Sequence, residues 1–406
     1  MSGERRVVVV DPGFLPTTRQ MAIAVAEDVR VYCTPIAPHS DSVMMRLPVA
    51  GREARRRALP AALEGRVRRV QTATELLRIG LSRAGVTALC DALIWRRNIG
   101  VDAAGATEVR SGDVVIGQYG GCLESFRRAR AAGATTVLDA PIAREQACQA
   151  ILAEERRLRP DFADSIPSPR AVTGRTRRMD AEIELADAIV VGSRFAAASF
   201  EGAVDPARVH VSAYGVDARA FAPRGNSGRR GPLRVLFAGN ITQRKGIGYL
   251  LDAMETLDPV RFELTLAGPI AGSGAGLRRY EGGYRHCGAL RPTAMPAIMR
   301  DADVLVLPSL LEGSALVVLE AMASGLPVIV TPNAGADAVR DGVDGFEVPV
   351  RSAEAIAARL EQLERDDVAR VRMGVAARAR ALGFTWDRFH AEFRRVLAYE
   401  SVEAAA

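Results

Sequence analysis

Short apolar runs without alternation punctuate this chain, and most stop at a glycine, a proline or an aspartate. Val7–Val10 stops at Asp11-Pro12-Gly13, and Ala188–Val191 stops at Gly192. Such runs are too short for ordinary helices and read as strands buried on both faces. Further strands are predicted at Val29–Cys33, Val114–Ile116, Thr135–Leu138 and Val209–Ser212. Between them lie stretches with apolar residues at helical spacing: Thr18–Ala26, Cys122–Ala132 and Ile142–Arg157. Alternation of strand and helix predicts an α/β domain with a parallel sheet and helices on both faces. Gly, Pro, Asn and Ser then cluster without periodicity over 216–232, which predicts a linker. A second alternating series follows. Its strands are Leu233–Ala238, Phe262–Leu266, Val304–Leu307 and Val328–Val330, and its helices include Ile247–Thr256 and Met295–Arg300. The expected organisation is two doubly wound, Rossmann-like domains over 1–215 and 233–383, facing each other across a cleft. A final helical pattern over 384–406, with Trp386, Phe389, Phe393 and Val396, is expected to return to the first domain.

Composition narrows the class. No apolar run reaches the roughly 18 residues of a membrane span. The start of the chain reads as a strand rather than a signal peptide, and a cytoplasmic location is the expectation. The five cysteines have no spacing that suggests a disulfide framework or a zinc site. The net charge is +6, but aromatic residues make up only 5% and no recognition motif is present, so nucleic acid is a poor partner. Of the 54 basic residues a single one, Lys245, is lysine. Drift to arginine explains the bias; the exception marks a place where a planar guanidinium does not fit, or a chance survivor.

Two stretches carry chemistry. In Phe237–Gly246 a strand ends at Gly239, a polar turn with Asn240 follows, and Arg244-Lys245-Gly246 opens a helix. Two cations beside helix-start amides can hold adjacent phosphates, and a solvated basic helix start is the other reading. In Pro308–Thr331 a strand runs through a turn ending at Glu312-Gly313 into a helix containing Glu320, and Gly325 and Pro327 stop that helix. Its N-terminus suits an anion. Glu320 lies among Val318, Leu319, Ala321 and Met322, so its carboxylate needs a partner: a ribose diol or a neighbouring arginine. Glu312 reads either as a sugar contact or as an N-terminal dipole partner. Neither a P-loop nor a dinucleotide fingerprint is present.

These residues carry a resemblance. Glu312-Gly313, Glu320-Ala321-Met322-Ala323, Gly325 and Pro327-Val328-Ile329, with Arg244-Lys245-Gly246 and Asp341-Gly342-Val343-Asp344-Gly345, are similar to the nucleotide-binding half of family-4 retaining glycosyltransferases of the GT-B fold. Ala186–Phe195 and Val209–Asp217 resemble that family's lead-in to the linker. The resemblance implies transfer of a hexosyl unit from a nucleotide-diphosphate sugar to a glycan or lipid-linked acceptor, with retention of configuration. It implies neither cofactor nor metal. It assigns the diphosphate to Arg244 and Lys245, the ribose to Glu320 and the donor sugar to Glu312. Gly313, Ser314, Ala315 and Leu316 would build the phosphate cradle, beside Gly239 and Asn240. Gly13 would face the phosphates from across the cleft, and His286 and Cys287 would contact the base.

The chain departs from the family pattern at several points. Asn240 stands where many members have arginine, Ser314 replaces an aromatic residue, and Ala336-Asp337 replaces Pro-Glu. The first-half histidine near the acceptor is missing, since His39 lies too early. Asp139 occupies roughly its place and is an acceptor contact or a helix N-cap. A nucleotide-sugar-binding protein with little transferase activity is therefore the alternative. Arg52, Arg55, Arg56 and Arg57, then Arg66, Arg68 and Arg69, interleave with Leu59, Leu63, Val67 and Val70 at helical spacing, with Leu76 and Leu77 beyond. That pattern describes either a solvated face or a basic amphipathic surface that contacts an anionic membrane, where a lipid-linked acceptor would lie.

Overall fold

The structure, a computed structural model, describes residues 6–38, 57–83, 86, 89–166, 174–223 and 231–403. Two wholly parallel sheets form its frame. The first comprises β1 (Val7–Val10), β2 (Val29–Thr34), β3 (Val67–Arg69), β4 (Val114–Gln118), β5 (Thr135–Ala140), β6 (Ala188–Val191) and β7 (Val209–Val211). Their spatial order is β3-β2-β1-β4-β5-β6-β7. The second comprises β8 (Leu233–Ala238), β9 (Phe262–Ala267), β10 (Arg285–His286), β11 (Val304–Leu307), β12 (Val328–Val330) and β13 (Gly345–Glu347), in the order β10-β9-β8-β11-β12-β13. The apolar runs form strands for the reason their composition gives. Helices cover both faces, so every residue of β1, β6, β11 and β12 is buried.

Strand order locates the site. In the first sheet the winding reverses between β1 and β4, and in the second between β8 and β11. A crevice opens at the carboxyl ends of the strands at each reversal. Asp11–Leu15 follows β1 and Tyr119-Gly120 follows β4 at one crevice. Gly239 follows β8 and Pro308 follows β11 at the other. Both runs of catalytic candidates therefore start at the second reversal.

The chain joins the two sheets more than once. Val216 and Phe221, beyond β7, pack into the core of the second sheet. The helix Trp386–Glu403 packs Phe389, Phe393 and Val396 into the core of the first, and Arg394 donates to the Ala24 carbonyl at 2.9 Å.

The arginine-rich stretch differs from its expected form. His39, Arg52, Arg55 and Arg56 lie outside the described residues. Beyond them Leu63 is in a single helical turn (Ala61–Glu64), whereas Val67–Arg69 is edge strand β3, so the helical spacing through Val70 is a coincidence. Leu59 and Leu63 are buried in the first core rather than exposed. The arginines bond to their own protein. Arg57 pairs with Glu75 at 2.8 Å, and Arg66 donates to the carbonyls of Glu27 and Val29. Arg68 donates to Ala104 and pairs with Glu108, and Arg69 donates to Ala37 at 2.9 Å. These described guanidinium groups are tied to backbone carbonyls and carboxylates of the protein itself, while Leu76 and Leu77 are exposed. Among the described residues, no helix is long and apolar enough to cross a membrane.

Candidate active site

The polar turn after β8 is built as a clamp. Thr242 caps a single helical turn, Gln243–Lys245, through its hydroxyl, which accepts from the Arg244 N–H at 3.3 Å. Gly246 then takes φ +72°, a left-handed conformation that reverses the chain into the helix Ile247–Glu255. A Cβ at Gly246 would overlap the Pro308 carbonyl oxygen at the end of β11. The turn after β8 and the turn after β11 thus press against each other, and a glycine is needed for the approach.

That approach brings the three expected catalytic residues together. Lys245 Nζ lies 2.6 Å from Glu312 Oε1, and Arg244 Nη1 lies 3.1 Å from the same oxygen. Arg244 also donates to the Leu311 carbonyl at 2.7 Å. Burial holds the Lys245 ammonium below its ordinary pKa even with Glu312 beside it. Burial alone would raise the Glu312 carboxyl; Lys245 and then Arg244 bring it below the usual carboxylate range. Glu312 is therefore an anion that holds two cations in register. The group carries a net charge of +1 and lies where the turns after β8 and β11 meet.

Three residues follow Glu312 before the next helix begins. This helix spans Leu316–Ala323, not from Glu312 onward, and no side chain caps it. Glu312 is not its N-cap. The Glu312 N–H donates to Asn333 and the Ala315 N–H to Ala334, so the loop is tied to the turn after β12. This corrects the expected cradle. Ala315 has no amide to offer an anion, which leaves those of Ser314 and Leu316. Gly313 serves another purpose as well: a Cβ there would overlap the Pro141 carbonyl oxygen in the first half, and its own carbonyl accepts from the Ser193 hydroxyl.

Glu320 resolves one open choice. No arginine reaches it, and among the described residues its carboxylate has neither an ion pair nor a hydrogen bond. Burial pushes its pKa up to about 7. An unpaired carboxyl half-buried in a crevice wall is a group prepared for a ligand donor.

Other expected contacts are placed differently. Gly13 lies at the first reversal, but its N–H is taken by Gln118 Oε1 at 2.6 Å. The Gln118 amide also fills the space where a Cβ would stand, so Gly13 seats Gln118 and does not itself donate to phosphate. Gly239 takes φ +125°, and a Cβ there would come 3.2 Å from Lys245 Cε, so this glycine makes room for the lysine. Asn240 is exposed beside it. His286 and Cys287 lie along edge strand β10. The imidazole Nε2 is 2.8 Å from the Gly268 carbonyl, and the Cys287 N–H donates to Leu266, which leaves the Cys287 carbonyl for a ligand.

Asp139 is not an open acceptor contact, nor does it cap the helix that follows it. It is 1% exposed at the end of β5 and accepts from Thr17 Oγ1 at 2.7 Å and Thr18 Oγ1 at 2.5 Å. It anchors the first turn of the helix Pro16–Ala24 instead. Burial raises its pKa to about 6, and Asp11, under the Gly13 loop, is likewise raised to about 6.

With this geometry established, comparison with known proteins identifies the second half. Residues 232–366 match the family Glycosyl transferases group 1. That match covers about a third of the chain. Among its relatives is the D-inositol 3-phosphate glycosyltransferase of Jonesia denitrificans, 33% identical over half of this chain and 54% of that protein. A putative colanic acid biosynthesis glycosyltransferase, WcaL, of Salmonella typhimurium is 31% identical over 40% of this chain and 43% of that protein. The chain spans about half the length of the curated relatives it matches. Solved structures cover nearly all of it. Anabaena Alr3699/HepE in complex with UDP-glucose superposes with a TM-score of 0.65 at 15% identity, over 97% of this chain and 99% of that one. Sucrose-phosphate synthase from Thermosynechococcus elongatus gives 0.63 at 16%, over 99% and 100%. The chain has the GT-B fold.

Sequence reasoning missed the residues that hold the cationic turn after β8. Gln243 is fully buried, and it bonds to Glu155 of the first half. The signal was available: Glu155 falls on the same helix face as Cys148 and Leu152, at core spacing. A carboxylate on an apolar stripe singled out Glu320, and the same test applies to Glu155.

Proposed function

We propose that this chain transfers a hexosyl unit from a nucleoside-diphosphate sugar to a glycan or lipid-linked acceptor, with retention of configuration. The observation that carries the reading is the Lys245–Glu312–Arg244 group at the second reversal, with unpaired Glu320 in the next helix. A diphosphate brings charge that Arg244, Lys245 and the N-terminus of the helix Leu316–Ala323 can neutralise. Glu312 keeps both cations aimed at the crevice before the donor arrives. A ribose diol supplies the two donors that Glu320 lacks. In the retaining step the bond from the anomeric carbon to the diphosphate breaks, and the acceptor oxygen bonds to that carbon from the same face. The acceptor proton passes to a phosphate oxygen of the leaving group. HepE, solved in complex with UDP and with UDP-glucose, supports the donor class, and the glycosyltransferase names of the relatives support transfer. A second reading is a protein that binds the donor with little transfer; it is favoured by the burial of Asp139, which leaves no first-half histidine or carboxylate at that place for the acceptor.

Calorimetry with UDP, GDP and ADP tests the reading. At least one should bind, and release of sugar from the matching donor separates transfer from binding alone. No affinity for any of the three rejects both readings.

Glu320 adds a pH signature. Ribose hydroxyls donate to the ionised carboxylate, so binding requires deprotonation of a group with a pKa near 7. UDP affinity should fall about tenfold from pH 8 to pH 6, by proton linkage. Without ligand the sign is reversed: the raised folded pKa stabilises the protein fully below the ordinary 4.5, and that contribution is lost as pH rises through 7. Glu320→Gln should flatten the binding profile. A slope that persists in the variant assigns the titration to another group.

A further inference from the structure

The cationic turn after β8 rests on a piece of the first half. The helix Glu145–Leu158 leads into a short helical segment, Pro160–Ser165, and this arm lies against the second half. Phe162 is 2% exposed and belongs to the second hydrophobic core. Arg159 pairs with Asp252 at 2.7 Å, and its guanidinium lies over the rings of Phe162 and Tyr249.

Three glycines of the second half make space for the arm. A Cβ at Gly248 would stand 2.8 Å from Arg159 Nη1. One at Gly272 would stand 2.6 Å from the Asp164 carbonyl oxygen, and one at Gly276 would stand 2.6 Å from the Phe162 ring. None of these contacts involves a nucleotide or a sugar, so the donor site does not account for them.

The arm ends on the turn that carries the cations. The Ser165 carbonyl accepts from Thr242 Oγ1 at 2.6 Å, and the Ser165 hydroxyl accepts from the Gln243 N–H at 2.9 Å. The fully buried Glu155 carboxylate accepts from Gln243 Nε2 at 2.7 Å, from the Tyr249 hydroxyl at 2.9 Å and from Arg351 Nε at 2.8 Å. Gln243 Oε1 accepts in turn from the Gly248 N–H at 2.9 Å. Gln243 immediately precedes Arg244 and Lys245, so both of its ends are fixed by groups the first half supplies or orients.

We propose that the arm Glu145–Ser165 is a positioning element for the diphosphate turn, and that Glu155 and Ser165 are positioning residues for Arg244 and Lys245. The proposal rests on the donor-binding reading for its function but not for its structural test. Loss of the Glu155 carboxylate strands the Gln243 amide and the Tyr249 hydroxyl in a buried place, and the turn must relax to satisfy them. A turn that moves takes Lys245 off the phosphates, and an ångström of misplacement costs about a hundredfold in rate.

The single lysine makes the test direct. Protein made with [15N]lysine gives one backbone amide signal, from Lys245. Glu155→Ala should displace that signal and weaken UDP binding about tenfold, a smaller loss than an ångström of misplacement. Glu155→Gln retains one acceptor oxygen for Gln243 and Tyr249 and gives up only the Arg351 bond, whose guanidinium still pairs with Glu154 at 2.8 Å, so it should restore signal and most of the affinity. Asp303→Ala is the stability control, since Asp303 pairs with Arg234 at the opposite end of the same sheet. It should lower Tm and leave the Lys245 signal in place. Should Glu155→Ala fail to fold, Ser165→Ala removes only the acceptor of the Gln243 N–H and faces the same two readouts. An unmoved signal with wild-type UDP affinity in the folded variant overturns the proposal, as does an equal displacement in Asp303→Ala. If the wild type binds no UDP while Glu155→Ala still moves the signal, the positioning role stands and the donor reading fails.

Discussion

Lys245→Ala should lower kcat/KM for the donor about 100- to 1000-fold, the range for loss of one preorganised group at a developing charge. UDP affinity should weaken by about 1.5–3 kcal/mol, the scale of a charge-assisted hydrogen bond. Two physical losses combine. The diphosphate loses a cation at short range. Glu312, with only Arg244 left beside it, becomes a poorly compensated buried carboxylate that repels the phosphates. Removing Glu312 together with Lys245 should therefore restore part of the UDP affinity, and a double-mutant cycle measures that coupling.

Lys245→Arg separates charge from shape. The lysine stem passes Gly239 so closely that a Cβ there would come 3.2 Å from its Cε, and the side chain is 11% exposed. A guanidinium is wider than this channel. The arginine variant should recover no more than about a tenth of wild-type activity even though it keeps the charge. Steady-state kinetics with the matching donor checks both variants. Wild-type rates in Lys245→Arg would make the lone lysine a relic of drift.

The parts of the molecule legible in the sequence share a physical property. β1, β6, β8, β11 and β12 have the ends their apolar runs predict, because a strand covered on both faces is apolar throughout and stops where the chain meets the crevice. Edge strands lack that property. β3 carries two arginines that bind nearby carbonyls and a carboxylate, and β10 is two polar residues long, so neither stands out. Arg244, Lys245 and Glu312 were legible as a site because each follows a strand end, and strand order places those ends side by side. From sequence Asp139 reads as an acceptor contact or a helix N-cap, because the hydroxyls that occupy it, Thr17 and Thr18, lie more than 120 residues away. Glu155 is the same problem in reverse: its partners Gln243 and Tyr249 are in the other half. Pairing of buried polar groups across long sequence separations is what a single sequence hides.

Gly313→Ala should separate binding from transfer. The sequence reads this glycine as part of a phosphate cradle, but its tightest contact is with the first half. A methyl group there would overlap the Pro141 carbonyl, a backbone atom that no rotamer can move aside. The Ser193 hydroxyl also bonds to the Gly313 carbonyl, so the same residue is held from two sides. The variant can relieve the overlap only by moving the two halves apart or by shifting the loop that carries Glu312. Small-to-large substitutions at packed positions cost about 1–3 kcal/mol. On the donor-binding reading the nucleotide is held by the second half, through Lys245, Arg244 and Glu320, so UDP affinity should change less than threefold, on the order of 0.6 kcal/mol. Transfer needs both halves in register, and a shift of about 1 Å should lower kcat roughly 100-fold. Calorimetry and single-turnover transfer on the same preparation measure the two effects. Equal losses in both would place Gly313 in the donor cradle after all, whereas a kcat loss with binding intact makes it the point where one half sets the position of the other.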